Sequence, residues 1–361
     1  MCGIVGYIGD ENATGIIIDG LKKLEYRGYD SSGIALVTKD HQLIVRKKKG
    51  RIANLEELIA GEDLYANLGI GHTRWATHGA PSDVNAHPHT DMSGRIAVVH
   101  NGIVENYLAL KEWLIKEHNV VFKSETDTEI IAQLIGVLYD GDIEEAVRKA
   151  VEKMQGAYGI GVICRDEPDK MIAVRKDSPL IVGLGQGCNF IASDIPALLK
   201  YVRQIYLIEN NEMVVLTAND VKIYNADHEE VHRDVFNVTW DADAAEKEGY
   251  DHFMLKEIHE QPKGIRDTLV RRMDENGEIV LDGIKLTKED IEGFNKVYIV
   301  ACGTAYHAGL IGKFAIEKLA KISVEVDVAS EFRYRDPFID DKTLFIAISQ
   351  SGETLDTLAA L

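Results

Sequence analysis

The sequence predicts two folds in series: an α+β section built on two packed sheets with helices outside, then a parallel, doubly wound α/β section. Three observations carry this. Up to about Asp234, many short β-type runs are interrupted by grouped helical patterns, the arrangement of sheets with helices segregated beside them. From Lys296 onward strand and helix patterns alternate one for one, which requires crossover connections and hence a parallel sheet. Between the two, the chain turns charged and its strand signals fade. The boundaries this gives are residues 2–235, a helical linker over 236–294, and 295–361, where the parallel section reads as an incomplete sheet.

The first section opens with a β-type run, Ile4, Val5, Tyr7 and Ile8, followed by a helical pattern from Ala13 to about Tyr26 with Ile16, Ile17, Leu21 and Leu24 on one face. Arg27 to Gly33 is turn chemistry. Strands are expected at Ile34–Val37 and Gln42–Lys47, then a helix near Ile52–Ile59. Gly69-Ile70-Gly71 leads into His72-Thr73-Arg74-Trp75-Ala76-Thr77-His78-Gly79, in which the segment at Arg74-Trp75, after a strand and before Gly79 and Pro81, reads as a loop beyond a sheet edge. Arg95 to His100 is a strand that stops at Asn101-Gly102, with a helix through Trp113. Helices follow at about 128–139 and 143–154. Strands then return at 158–164, 171–175, 180–184, 189–192, 204–208, 213–217 and 221–224. In the linker, Asp241–Glu248 reads as a loop, and Phe253 to Gln261 as a helix ended or kinked by Pro262, with another helix to about Met273. The last section predicts strands at 296–301, 324–328 and 343–348, with helices from Tyr306 to Lys321 and from Thr354.

Composition sets bounds. A chain of 361 residues suits about two domains, and 45% hydrophobic with 27% charged residues describes a globular protein. No apolar run approaches the ~20 residues of a membrane span. The N-terminus lacks the basic and apolar regions of a signal peptide, so a cytoplasmic location is expected. Cys2, Cys164, Cys188 and Cys302 are scattered without a CxxC pair, which suits a reducing compartment. A net charge of −19 with no evident basic face argues against nucleic acid as a partner.

The start of the chain, Met1-Cys2-Gly3-Ile4-Val5-Gly6, carries the first chemical signal. Removal of Met1 would give Cys2 both a thiol and an α-amine, a nucleophile and a proton carrier in one residue. Histidines 72, 78, 87, 89 and 100 cluster, yet no HExxH or Cys/His zinc spacing accompanies them, so no metal and no cofactor is expected. Arg74 suits a bidentate carboxylate clamp; its plainer reading is a surface arginine. Asn101-Gly102 is equally a hairpin turn or a pair of donors to a developing oxyanion. Asp127 fits a capping box with Thr126 as cap and Glu129 reaching back; alternatively its carboxylate binds an ammonium group. The glycines of 183–187 have GxGxG spacing with no helix after them and are rejected as a dinucleotide loop. Two strand–loop–helix junctions, Cys302-Gly303-Thr304-Ala305 and Ser349-Gln350-Ser351-Gly352-Glu353-Thr354, set hydroxyls and small residues where a sugar phosphate would bind. No Walker lysine accompanies them.

Taken together, the opening hexapeptide, Glu25-Tyr26-Arg27-Gly28-Tyr29-Asp30-Ser31, His72 to Gly79, Val84-Asn85-Ala86-His87-Pro88, His100-Asn101-Gly102 and Ser124 to Glu129 closely resemble the glutaminase domain of the glutamine–fructose-6-phosphate aminotransferase (isomerizing) family. The resemblance continues through Lys256 to Pro262, Ala301 to Thr304, Ala329 to Arg335 and Ser349 to Thr354, and so covers essentially the whole chain. It implies an N-terminal-nucleophile αββα sandwich followed by part of a doubly wound sugar isomerase (SIS) domain. It implies that Cys2 attacks the side-chain amide of L-glutamine with its α-amine as base, and that Asn101 and Gly102 form the oxyanion hole. Arg74 and Thr77 would hold the α-carboxylate, Asp127 the α-ammonium, and Trp75 and His78 would line a closing loop. Thr304, Ser349, Gln350, Ser351 and Thr354 match the positions that hold D-fructose 6-phosphate, and ammonia passes between the sites. Ala305 departs from the family's usual serine, which removes one phosphate hydrogen bond. The second SIS domain and tail of the family, which supply the isomerisation residues, lie outside the chain, so glutamine hydrolysis is expected of it and synthesis of glucosamine 6-phosphate is not expected of it alone. The resemblance also implies a homodimer for full-length members, formed largely through the isomerase half. The alternatives are another N-terminal-cysteine amidotransferase, such as an amidophosphoribosyltransferase or asparagine synthetase, and a non-catalytic sugar-phosphate sensor.

Overall fold

A computed structural model of the chain describes residues 2–76, 78–239, 250, 252–270, 272–273, 277, 279, 281, 283–284, 286–350, 352 and 354–361. The chain divides into two compact units, Met1–Glu248 and Gly249–Leu361.

The first unit begins with β1 (Gly3–Gly9), buried along its whole length. Its alternate side chains serve two different cores: Val5 and Tyr7 face one, Ile4 and Ile8 the other. Such a strand reads as a continuous apolar run because neither face meets water. Helix α1 (Ala13–Leu24) covers one face, its start capped by Asn12, whose side chain accepts from Thr14 N–H. Then come β2 (Ser31–Val37), β3 (Leu43–Lys49), α2 (Ile52–Ile59), β4 (Leu68–Arg74), β5 (His89–Thr90) and β6 (Ile96–Val104). Three helices follow: α3 (Tyr107–His118), α4 (Asp127–Leu138) and α5 (Ile143–Val151). The chain returns as β7 (Gly156–Cys164), β8 (Glu167–Lys176), β9 (Ile181–Leu184), β10 (Cys188–Ala192), β11 (Gln204–Leu207), β12 (Glu212–Leu216) and β13 (Val221–Tyr224). The short strands β14 (Glu230–Val231) and β15 (Phe236–Asn237) close the series.

Among the described residues these strands form an eight-stranded sheet, β15-β11-β9-β10-β1-β4-β2-β3, and a seven-stranded sheet, β14-β13-β12-β8-β7-β6-β5. A core of Ile4, Ile8, Leu68 and Ile70 from the first sheet against Ala97, Val99, Ile163 and Ala173 from the second lies between them. Helices α1 and α2 pack on the outer face of the first sheet and α3 to α5 on that of the second, giving four layers, αββα. Each fully buried Leu, Ile or Val contributes roughly 1.5–3 kcal/mol, so the three cores dominate the unit's stability.

The second unit holds α6 (Phe253–Val270), α7 (Lys288–Gly293), β16 (Lys296–Ala301), α8 (Gly303–Leu319), β17 (Ser323–Val328), α9 (Ala329–Phe332), β18 (Thr343–Ile348) and α10 (Leu355–Ala359). Its parallel sheet has the order β17-β16-β18. Tyr298 and Val300 of β16 pack with Phe332 on one face, and Val297 and Ile299 with Ile316 of α8 on the other, the two-sided burial of a doubly wound sheet.

Several expectations need correction. Arg74 is the last residue of β4 rather than part of a loop, and β6 runs on through Asn101-Gly102 to Val104 instead of stopping there. Pairing across the whole of β7 outweighs the turn preference of Asn-Gly. Pro262 sits inside α6 without ending it, so the two helices expected there are one up to Val270. The helix expected from Tyr306 begins at Gly303, which turns part of the first junction into a helix start. The rejection of a dinucleotide loop at 183–187 needs no correction, because its glycines join two antiparallel neighbours, β9 and β10, with no helix between. Met1, Thr77, Ser351 and the loop 241–248 lie outside the described residues. Among the described residues no helix is long and apolar enough to cross a membrane.

Candidate active site

Register places the site. In the first sheet β1 pairs with β4 so that Gly3 faces Thr73, which brings Cys2 beside Arg74 and Trp75. The Cys2 thiol is half-buried; Sγ accepts a hydrogen bond from Trp75 N–H at 3.2 Å and lies 3.5 Å from the Trp75 carbonyl oxygen. Burial pushes this thiol up from its ordinary value, and the carboxylate of Asp30 pushes it further; the Trp75 hydrogen bond and the Arg74 guanidinium pull the other way. The resting group is therefore a thiol, and attack on a carbonyl requires a base to remove its proton.

Arg74 is only 3% exposed, so the surface-arginine reading fails. Its Nη2 donates to the carbonyl oxygens of His78 and, at 3.0 Å, Gly79. Its Nη1 is buried with no partner among the described residues. A buried guanidinium nitrogen left unpaired is costly, and a carboxylate is the group it suits best. Trp75, by contrast, is 49% exposed. His78 lies edge-on to Tyr107, with ring centroids 5.5 Å apart.

Asn101 comes from the other sheet. Its Nδ2 donates to the Cys2 carbonyl oxygen at 3.1 Å, and its Oδ1 lies 3.0 Å from His72 Nε2. Gly102 has φ +125°, a conformation that L side chains rarely adopt, and a Cβ there would stand 2.0 Å from the Ala157 carbonyl oxygen. Just beyond, Asp127 Oδ2 accepts from Val104 N–H at 3.0 Å, which ties the first turn of α4 to the end of β6. Thr126 caps that helix through Glu129 N–H, as expected. The Glu129 carboxylate does not reach back to close a capping box; it accepts from Lys123 and Ser124 N–H at 2.8 and 2.5 Å.

The structure thus brings Cys2, Arg74, Trp75, His78 and Asn101 into one connected set, with Gly102 next to Asn101 in the chain and Asp127, from the first turn of α4, hydrogen-bonded to the end of that strand. Two contributors were absent from the sequence-based site. Asp30 Oδ2 accepts from Ala76 N–H, and Tyr29 lies edge-on to Trp75 at 5.3 Å. Gly28 permits this, since a Cβ there would stand 2.6 Å from the Arg74 carbonyl carbon. Turn chemistry at 27–33 was visible, but nothing local says that the turn packs on Arg74-Trp75. The histidines also took a form that spacing did not show. The rings of His72 and His87 stack at 4.1 Å and His87 meets His89 at 5.1 Å. Among the described residues no three His, Cys, Asp or Glu side chains converge as metal ligands.

In the second unit, β16 and β18 are parallel neighbours with Ala301 opposite Ile348, so the junctions after them begin side by side. Thr304 lies in the first turn of α8, and no side chain caps that helix. Ser349 Oγ accepts from Gly352 N–H at 3.0 Å and lies 3.2 Å from Thr354 Oγ1; Gln350 is exposed.

A family model described as "Glutamine amidotransferase domain" matches residues 72–200, and one described as "SIS domain" matches residues 291–361. The chain is 60% identical over all 361 residues to the glutamine–fructose-6-phosphate aminotransferase [isomerizing] of Clostridium tetani, and 59% identical to that of Clostridium perfringens. It spans 59% of the length of these relatives. In fold it is similar to the glutamine phosphoribosylpyrophosphate amidotransferase from B. subtilis, with a TM-score of 0.58 and 19% identity, covering 97% of this chain and 69% of that one. That likeness concerns the fold alone. The chain is thus similar along its entire length to part of the glutamine–fructose-6-phosphate aminotransferases (isomerizing), and it carries a glutamine amidotransferase domain followed by an SIS domain.

Proposed function

We propose that the first unit hydrolyses the side-chain amide of L-glutamine through Cys2, and that the nitrogen released is destined for D-fructose 6-phosphate, giving D-glucosamine 6-phosphate and L-glutamate. The observation that carries this reading is the two-sided hold on Cys2: Trp75 N–H on its sulfur at 3.2 Å and Asn101 Nδ2 on its carbonyl oxygen at 3.1 Å. In this reading residues 2–235 form the glutaminase, 236–294 a linker and 295–361 part of an SIS domain, working in the cytoplasm.

With Met1 removed, the Cys2 α-amine takes the thiol proton as Sγ bonds to the amide carbon. The carbonyl oxygen becomes an oxyanion facing Asn101 Nδ2–H and Gly102 N–H. As the C–N bond breaks, the amine returns the proton to the leaving nitrogen and ammonia departs. Water then adds to the thioester, freeing glutamate and the thiol. Arg74 and Thr77 orient the substrate's α-carboxylate, Asp127 its α-ammonium, and Trp75 and His78 shield it. Thr304, Ser349, Gln350, Ser351 and Thr354 hold the sugar phosphate. Ammonia protonated in water is no longer a nucleophile, which is why two coupled sites are needed.

The test is glutamate release from L-glutamine by this chain and by Cys2→Ala, with and without D-fructose 6-phosphate. The expected result is turnover that falls at least ~10³-fold in Cys2→Ala and rises with the sugar phosphate. Equal turnover in both chains would refute Cys2 as the nucleophile. No turnover, with mass spectrometry showing Met1 gone, would refute an autonomous glutaminase.

A further inference from the structure

We infer that His72 is a positioning residue that fixes which way the Asn101 amide points. The inference rests on the glutaminase reading for its catalytic consequence, but its structural basis is independent of it.

Parity along two strands creates the pair. On β4, Leu68 and Ile70 face the core between the sheets, so His72, two residues on, faces the same way. On β6, Ala97 and Val99 face that core, and Asn101 follows in step. Where the apolar layer ends, a histidine from one sheet therefore meets an asparagine from the other. His72 is fully buried.

The hydrogen bonds then have one solution. His72 Nε2 lies 3.1 Å from the His100 main-chain carbonyl oxygen and 3.0 Å from the Asn101 side chain. The carbonyl oxygen can only accept, so Nε2 must carry the hydrogen. A ring N–H can meet only the oxygen end of the Asn101 amide, which turns Nδ2 toward Cys2. Of its two N–H groups, one serves the Cys2 carbonyl oxygen at 3.1 Å, and the other is left for an oxyanion beside Sγ. Without His72 the amide could rotate by half a turn and present an acceptor where a donor is needed.

Two further features hold the ring in this state. His87 stacks on it at 4.1 Å, which fixes its plane. His72 Nδ1 is buried with no partner among the described residues, so a second ring hydrogen would have nothing to bind. Burial accordingly pushes this imidazole down to about 3, and it stays neutral wherever the protein is folded near neutral pH.

The tautomer is measured directly on the full chain with ¹⁵N-labelled histidine. The expected signal for His72 is a neutral ring with hydrogen on Nε2 and none on Nδ1; hydrogen on Nδ1 would overturn the inference whether or not the chain turns over glutamine. Kinetics test the consequence. His72→Phe is expected to lower glutaminase kcat about 10²-fold, with KM for glutamine within about threefold, as for loss of one aimed oxyanion donor. His72→Gln, whose amide N–H can take the place of Nε2–H, is expected to recover activity to within about tenfold of the parent. In the Asn101→Ala background, His72→Phe should cost nothing further, because the group it positions is gone. An equal loss in both backgrounds would show that His72 acts elsewhere and would overturn the inference. Absent turnover in the unsubstituted chain would instead count against the glutaminase reading, leaving the tautomer measurement to decide the role of His72. Should His72→Phe fail to fold, His72→Gln and the ring signals remain decisive.

Discussion

Replacing Gly102 by alanine should damage both stability and turnover, and the size of the effect follows from the backbone around it. The added methyl would stand 2.0 Å from the Ala157 carbonyl oxygen, 2.7 Å from its carbon and 2.9 Å from Tyr158 Cα. Real Cβ contacts stay above 3.0 Å, so 1.0 Å must come from moving one strand relative to the other. All three neighbours are main chain, and β6 and β7 are paired from Ile96–Cys164 to Val104–Gly156, so no flexible side chain can absorb the shift. Overpacking costs roughly 1–3 kcal/mol and an L residue forced into this backbone region another ~1–3, together about 2–6 kcal/mol. In a unit of this size that lowers Tm by about 5–20 °C. Moving Asn101, one residue away, by about 1 Å should also cost on the order of 10² in kcat. Calorimetry and glutamate release measure both. Gly61→Ala is the control: its φ is +84° but nothing lies within 4 Å of the added Cβ, so it reports backbone strain alone. If Gly102→Ala melted with Gly61→Ala and kept its turnover, the crowding argument would be wrong.

Two further outcomes are expected. Asp127→Asn keeps an oxygen to accept from Val104 N–H but removes the charge proposed to meet the substrate's ammonium. KM for glutamine should rise at least ~10-fold while Tm moves by no more than about 2 °C, and an unchanged KM in steady-state assays would remove Asp127 from the binding set. The second concerns acid. Burial holds His72, His87 and His89 below the ordinary histidine value in the folded chain, so below about pH 6.5 the unfolded chain takes up protons that the folded one refuses. Stability is unaffected by them above that pH and falls below it. The slope reaches on the order of 4 kcal/mol per pH unit for three such groups. Urea melts between pH 7 and pH 5 should show this steep loss, and a flat profile would mean that the histidines titrate normally in the fold.

Much of the candidate site was legible because its residues fall in local motifs. A cysteine at position 2, an arginine–tryptophan pair after a glycine-flanked strand, an asparagine–glycine pair and an aspartate in a cap were all visible one by one. Their competing readings were not separable, since exposure decides them. Arg74 stopped being a surface arginine once β4 proved buried along its length. Asn101-Gly102 stopped being a turn once β7 proved to pair beyond it. Pro262 reads locally as a helix end, yet α6 continues to Val270.

The sequence by itself determined the two fold classes, the order of most elements and the family resemblance, because apolar periodicity and dense motifs are properties of neighbouring residues. Tertiary structure alone decided which residues meet. Tyr29 and Asp30 reach Trp75 and Ala76 through a turn whose destination no local pattern states. His72 and Asn101 are brought within 3.0 Å because two strands from different sheets carry the same parity into one core. Sequence spacing along either strand shows that parity, but only the packing of the two sheets shows that the faces oppose each other. That opposition is what aims an amide at Cys2.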